Sequence, residues 1–199
     1  MLFLFERIIT MLEWLNQIDT ALFVFLNVTL ANPVFDVLMP FITHAETWYP
    51  VWVVLFIMML WKGGVKGRWF IVVAILAVAL SDQAVNQLMK PFFERIRPCN
   101  VVEGCRMLVP CSRSFSMPSS HAVNFFTTAT VLAFFYPRYQ GWYWSIAFLV
   151  GYSRIAVARH YPFDVLVGAL TGILFALFCI YLFKYVRRRY NLPLEKDRK

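Results

Sequence analysis

The stretch Tyr152–Asp164, Y-S-R-I-A-V-A-R-H-Y-P-F-D, places Arg154, His160 and Asp164 at the edge of two long apolar runs. If the chain is helical from Tyr161, His160 and Asp164 stand i, i+4 and share one face. A carboxylate that holds one imidazole nitrogen leaves the other as a lone-pair nucleophile or base. The Arg154 guanidinium adds a fork suited to a carboxylate or a phosphate. Ionisable side chains at a membrane edge seldom serve packing alone. The competing explanation is an interfacial His–Asp pair with arginines snorkelling to the surface.

Two further pieces end at the same edge. In K-P-F-F-E-R-I-R-P, Lys90 and Arg97 are seven apart, hence on one helical face if the helix continues through Pro91. In S-F-S-M-P-S-S-H, Ser114–His121, Pro118 followed by Ser119 and Ser120 marks a helix start. The free N–H groups and positive dipole end of such a start suit a phosphate, and His121 falls in its first turn. Taken singly, these pieces read equally well as snorkelling cations and a plainly capped helix. Jointly they bring two histidines, an orienting aspartate, a lysine, two arginines and a serine-capped helix end to one face. Those are the groups that stabilise a phosphoryl group in transfer.

Apolar segments must position them. Of the 199 residues 60% are hydrophobic and 15% charged, against roughly 25% charged in an ordinary soluble domain. This is a membrane protein with length for one helical bundle and none for a second domain. The net charge of +8 fits cytoplasmic lysines and arginines or attraction to anionic lipid, and no nucleic-acid-binding patch is visible. Met1–Phe5 is apolar at once, with no basic segment before it, so no cleavable signal peptide is expected. Five spans are expected: Trp48–Trp61, starting a few residues earlier, Trp69–Met89, Ser119–Tyr136, Trp142–Ala158 and Pro162–Tyr185. Residues 1–46 hold shorter apolar pieces broken at Asn32-Pro33 and at Pro40. They read as interfacial or re-entrant helices, or as one irregular sixth span over residues 18–42. The expected fold is therefore all-α: a multi-pass bundle forming one domain over residues 1–186, with the motifs in 90–164 and a basic cytoplasmic tail at 187–199.

Walking through the spans places Lys62, Lys66, Arg68, Arg138, Lys184 and Arg187–Arg189 on one side, which the positive-inside rule makes cytoplasmic. Lys90, Arg95, Arg97, Arg106, Arg113, Arg154 and Arg159 fall on the other. That is too basic for an ordinary outer loop, so something there needs positive charge. A cell-membrane location with the site on the outer, periplasmic face follows. Asp82, Asn86 and Lys90 form a stripe at i, i+4, i+8; Asp82 either pairs with Arg154 or Arg159 to hold the cation cluster or belongs to a structural network. Cys99, Cys105 and Cys111 share the outer loop, while Cys179 lies in the last span. Three loop pairings are open, and Cys99–Cys111 is favoured because it ties the first motif to the segment leading into the second. His44 reads as an interfacial residue. Trp14, Trp48, Tyr49, Trp61, Trp69, Trp142, Tyr143 and Trp144 read as interface belts.

The spacing K-x6-R-P, then P-S-S-H, then S-R-x5-H-x3-D resembles the three-part signature of the type-2 phosphatidic acid phosphatase superfamily, over residues 90–164. The resemblance implies a helical membrane bundle that hydrolyses phosphate esters with no metal or other cofactor. It implies His160 as a nucleophile forming a phosphohistidine, Asp164 as its orienter, and His121 as the acid for the leaving oxygen and then the base for water. Lys90, Arg97, Arg154, Ser119 and Ser120 would bind the phosphate. One departure is visible: Ser120 stands where the family usually has glycine, so a positive φ there would be strained. The implied partners are the bilayer and a lipid phosphate: undecaprenyl diphosphate, phosphatidate, phosphatidylglycerophosphate or a lipid A phosphate. Transfer to an acceptor alcohol and anion transport are the alternatives. The sequence carries no signal for oligomeric state.

Overall fold

The computed structural model describes residues 2–194, without the side chains of residues 2–5, 8 and 9; residues 195–199 of the expected tail lie outside the described residues. Helix α1 (Leu2–Val24) runs on through a π turn (Phe25–Thr29) and is followed by α2 (Pro33–Thr43) and α3 (Ala45–Trp61). Helix α4 (Gly64–Ala84) continues through a second π turn (Val85–Met89) into α5 (Lys90–Phe93). After a long loop come α6 (Ser120–Phe135), α7 (Gln140–Ala156) and α8 (Pro162–Arg189). No strand occurs among the described residues.

Local chemistry sets the breaks. Asn32 caps α2, its Oδ1 accepting the Phe35 N–H at 3.0 Å, with Pro33 at the first helical position. There the chain bends by 115° between Thr10–Thr29 and Pro33–Thr43. The expected break at Pro40 does not occur. Pro40 lies inside α2, where its missing N–H leaves one carbonyl unpaired rather than ending the helix. Before Asn32-Pro33 the apolar pieces form one continuous helix, α1 and its π turn. The π turn before Pro91 widens the helix where proline cannot donate. Glu94 then ends it in the left-handed region, φ +45°, with its N–H on the Lys90 carbonyl at 3.0 Å. Arg97 therefore does not share a helical face with Lys90; it reaches the site from the loop.

Helices α3, α4–α5, α6, α7 and α8 occupy the five segments expected to span. Two helices, Gly64–Phe93 and Pro162–Arg189, are long and apolar enough to cross a membrane, or three if the bent pair before α3 counts as one span. Helix α6 is the centre of the bundle, burying ten of its residues against α4, α7 and α8. Its closest approach is to α8, at the G-x-x-x-G formed by Gly168 and Gly172. A Cβ on Gly168 would stand 2.8 Å from the Ser119 carbonyl, and one on Gly172 would collide with the Val123 carbonyl. That approach lets the Ser119 N–H donate to the Asp164 carbonyl at 3.0 Å, which pins the start of α6 to the start of α8.

The bundle has two unlike poles. At one, Lys66 stands over the Tyr136 ring at 5.0 Å and Lys184 over Phe134 at 4.8 Å, joining the start of α4 to the ends of α6 and α8. At the other lie Lys90, Ser119 and Asp164. Gly172→Ala is expected to push α6 off α8 and destabilise the protein by about 1–3 kcal/mol, the usual range for overpacking. Gly141→Ala, with nothing within 4 Å of its new methyl, should leave the melting temperature in detergent unchanged or raised.

Candidate active site

The turn between α7 and α8 presents His160. The Arg154 carbonyl accepts the N–H groups of both Arg159 (3.0 Å) and His160 (3.1 Å), and Ala158 adopts φ +61° to close the turn. Asn27, from the π turn after α1, donates to the Ala156 carbonyl at 2.8 Å and the Ile155 carbonyl at 3.2 Å, satisfying the C-terminal end of α7. The Cys99 N–H donates to the Ala158 carbonyl at 3.2 Å, and the sulfurs of Cys99 and Cys111 are joined, leaving Cys105 and Cys179 free. The loop carrying Arg95 and Arg97 is thus fastened directly to the loop carrying His160.

His160 is 2% exposed, and its Nε2 lies 3.0 Å from Nη1 of Arg97. A guanidinium only donates, so Nε2 is the acceptor and the proton of the neutral ring sits on Nδ1. Nδ1 faces Asp164 Oδ2 at 3.6 Å, an ionic approach too long for a hydrogen bond. Burial first, and then the nearby Arg154 and Arg97, push the His160 imidazole down to about 3. It is therefore unprotonated at neutral pH.

Asp164 is fully buried at the third helical position of α8. Its Oδ2 accepts the Tyr161 N–H at 2.8 Å and the Ser116 hydroxyl, and its Oδ1 accepts Arg95 Nη1 at 2.8 Å. Arg95 also meets Asp19 Oδ2 at 2.7 Å and stacks over the Tyr161 ring at 4.0 Å. His160 itself precedes the helix, so its reach to Asp164 follows from the turn rather than from a shared helical face.

Around His160 the cations lack carboxylates. All five Arg97 N–H groups are used, on the carbonyls of Ser114, Phe115 and Arg159, the Ser114 hydroxyl and His160. Arg154 donates to the carbonyl and hydroxyl of Thr43, and its Nε has no partner; neither has the Nε of Arg159. Burial and then Arg159 lower the Arg97 guanidinium to about 10. Arg95, which burial alone would lower, is instead raised by Asp164 and Asp19. Lys90 donates to Ser120 Oγ at 2.8 Å and Asn86 Oδ1 at 3.0 Å, and Asn86 donates to Asp82 Oδ2 at 2.9 Å. The stripe at i, i+4, i+8 is thus one hydrogen-bonded chain that orients Lys90. Asp82 does not pair with Arg154 or Arg159.

At the start of α6, Ser119 is fully buried and its hydroxyl makes no hydrogen bond, not even as a helix cap. Ser120 is an ordinary first helical residue with no positive φ, so replacing glycine there carries no backbone strain. His121 is only partly buried, faces a cavity of ≈ 710 Å³ together with Asp82, Trp48, Trp52 and Phe125, and lies within electrostatic range of His160. His44 stands exposed at the corner between α2 and α3. Among the described residues no three His, Cys, Asp or Glu side chains group as metal ligands. Asp19, Asn27, Thr43, Arg95, Ser114 and Ser116 were not identified from sequence. The one legible signal was the spacing Asp19, Phe23, Asn27, a buried i, i+4, i+8 stripe with polar ends in an apolar segment.

Helix ends of a helical membrane protein thus converge on a neutral imidazole and on cations without carboxylates. The PAP2 superfamily model matches residues 67–188, and the chain belongs to that superfamily. Its phosphatases act on phosphoester bonds without a metal ion. The chain is 29% identical over 203 residues to a lipid A 4'-phosphatase of Bacteroides thetaiotaomicron, covering 94% of this chain and 84% of that protein. The crystal structure of Aquifex aeolicus LpxE superposes with a TM-score of 0.69 at 29% identity, over 81% of this chain and 94% of that one. A phosphatidylglycerolphosphate phosphatase from Bacillus subtilis shares the fold, with a TM-score of 0.67 at 24% identity over 94% of this chain and 96% of its own.

Ser119→Ala separates stability from function. The hydroxyl has no protein partner to lose, so the melting temperature should hold or rise. A hydrogen bond to a charged phosphate contributes about 1.5–3 kcal/mol, so kcat/KM should fall about 10–100-fold.

Proposed function

We propose that this protein is an integral-membrane lipid phosphatase that works through a phosphohistidine. The observation that carries the reading is the charge balance: Arg97 touches a neutral imidazole, Arg154 lies within electrostatic range of it, Lys90 and Arg159 lie within range of those two arginines, and none of the four pairs with a carboxylate among the described residues. A dianionic phosphate supplies the missing charge.

The chemistry then follows from the atoms. The arriving phosphate draws Arg97 Nη1 away from His160 Nε2 and onto its own oxygens, exposing the Nε2 lone pair. Nε2 attacks phosphorus while Asp164, closing the 3.6 Å gap, stabilises the charge that builds on the ring. The bond from phosphorus to the leaving oxygen breaks, and His121, which enters this step as the imidazolium stabilised by the bound phosphate dianion, gives its proton to that oxygen. His121 next takes a proton from water; the water oxygen attacks phosphorus, the P–N bond breaks, and inorganic phosphate leaves a neutral His160. Lys90, Arg97, Arg154 and the Ser119 hydroxyl hold the equatorial oxygens, with the Ser120 backbone beside them.

The aromatic cavity beside His121 suits the apolar body of the leaving alcohol, so the substrate is a lipid phosphate or diphosphate. The candidates are undecaprenyl diphosphate, phosphatidate, phosphatidylglycerophosphate and a lipid A phosphate. The Bacteroides relative, which aligns along 94% of the chain, favours the last of these. We further propose that α3, α6 and α7 cross the bilayer alongside α4–α5 and α8, giving five spans, or six if α1 and α2 form one. Residues 1–186 make the single domain. The Lys66–Lys184 pole and the C-terminus face the cytoplasm, and the site faces outward.

Purified protein given each of the four lipids, with chelator and no acceptor alcohol, should release inorganic phosphate from at least one. His160→Ala should lower that rate by at least about 10³-fold, as loss of a nucleophile does. Phosphate release that needs an added alcohol would indicate a transferase, and anion flux that survives His160→Ala a transporter. Turnover lost to chelator and restored by a divalent ion would refute the mechanism.

A further inference from the structure

Helix α1 lies outside the matched family region, which begins at residue 67, yet it reaches the site. Most of its described side chains are exposed; Asp19 and Phe23 are wholly buried, and Asn27 follows on the same stripe. Phe23 packs edge-on against Tyr161 at 5.5 Å between ring centres, and Asn27 ties down the end of α7. Asp19 does something different. Its Oδ1 accepts the Phe163 N–H at 2.9 Å, capping α8 from another helix, and its Oδ2 stands 2.7 Å from Arg95 Nη1. That same Nη1 bonds Asp164 Oδ1 at 2.8 Å, while Nη2 donates to Asn16 Oδ1 at 3.0 Å. One guanidinium is therefore shared between Asp19 and the carboxylate behind His160.

We propose that Asp19 is a positioning residue for the nucleophile, dividing the charge of Arg95 so that Asp164 keeps enough of its own to support His160. Asp164 has two tasks: Oδ1 faces a cation, and Oδ2 must stabilise the positive charge that builds on the His160 ring during attack. An unshared arginine would satisfy Asp164 completely and draw it toward Oδ1, away from an imidazole already 3.6 Å distant. A second buried carboxylate on the far side of Arg95 opposes that pull. By accepting the Phe163 N–H, Asp19 also fixes where α8, and with it Asp164, begins. The role of α1 is thus electrostatic as well as mechanical.

This inference rests on His160 being the nucleophile, and the experiment separates the two. Rates are measured with the fastest lipid of the four-lipid panel for wild type, His160→Ala, Asp19→Asn, Arg95→Gln and the double variant Asp19→Asn/Arg95→Gln. Asp19→Asn keeps the size and the acceptor for Phe163, removes the charge, and turns an amide N–H toward Arg95 Nη1 where a carboxylate oxygen stood. It should lower kcat about 10-fold or more with KM within about threefold, in protein that still folds. Removing Arg95 as well should restore kcat several-fold above Asp19→Asn, because the unbalanced cation is then gone. A purely structural Asp19 gives the opposite pattern: a lowered melting temperature with wild-type kcat, or losses that add in the double variant; either overturns the proposal. Activity surviving in His160→Ala would instead overturn the mechanism beneath it. Should Asp19→Asn not accumulate as folded protein, Arg95→Lys is read in its place, since an ammonium cannot hold both carboxylates as the planar fork does. A loss in kcat at unchanged KM supports the proposal, and wild-type kcat overturns it.

Discussion

A carboxylate without water must be surrounded by donors, and the Asp164 carboxylate is fully buried. Leaving such a charge unpaired costs several kcal/mol, on the order of 3–5 when one partner of a buried pair is removed. The chain meets that requirement from three separate segments. Arg95 comes from the loop after α5, Ser116 from the approach to α6, and the Tyr161 N–H from the cap of α8, where His160 also faces the carboxylate at 3.6 Å. Since none of these segments can satisfy Asp164 alone, its burial gathers them, and the gathering brings the two histidines to one pole of the bundle.

The same pole holds two kinds of arginine. Arg95 is bracketed by two carboxylates and is structural in character: its charge is spent within the protein. Arg97 and Arg154 are bracketed by carbonyls and hydroxyls, Arg159 has an unpartnered Nε, and burial and then Arg159 work against the charge of Arg97. Such a cluster is held together by backbone packing rather than by ion pairs. The G-x-x-x-G contact of α8, the Asn27 bonds to α7 and the joined cysteines of the loop supply that packing. Rigid helices therefore hold together like charges that the proposed phosphate would bring into balance, which is preorganisation in its usual sense.

Much of this was legible in the sequence, and the parts that were not have physical causes. Long apolar runs fixed the helices from α3 onward, because a bilayer-length segment has few alternatives to helix. The three motifs placed His121, His160 and Asp164 together, since each motif sits at a helix end on the same side. The shared face of Lys90 and Arg97 depended on a continuing helix, and Glu94 ends that helix before Arg97 is reached. Of the two readings of Asp82, the structural network holds: its own helix supplies Asn86, four residues on, in place of an arginine. Ser120 gave rise to an expected strain that its helical conformation removes. The contribution of α1 was missed altogether. Asp19, Phe23 and Asn27 make a stripe of period four, but a stripe shows only that a face is buried, and nothing local says that the face meets Arg95 and the end of α7. Tertiary contacts of that length are not written in neighbouring residues.

The claim on which the mechanism turns is that phosphorus becomes bonded to His160 itself. A lipid phosphate with an activated leaving group needs no acid for its departure, so His121→Ala should complete the first step and stall before the second. Peptide mass spectrometry of that variant, quenched in base where a phosphohistidine survives, should find one phosphoryl group per chain on the peptide carrying His160, and none when His160 is also replaced by alanine. A stalled enzyme bearing no phosphoryl group, or bearing it on any other residue, would contradict the account.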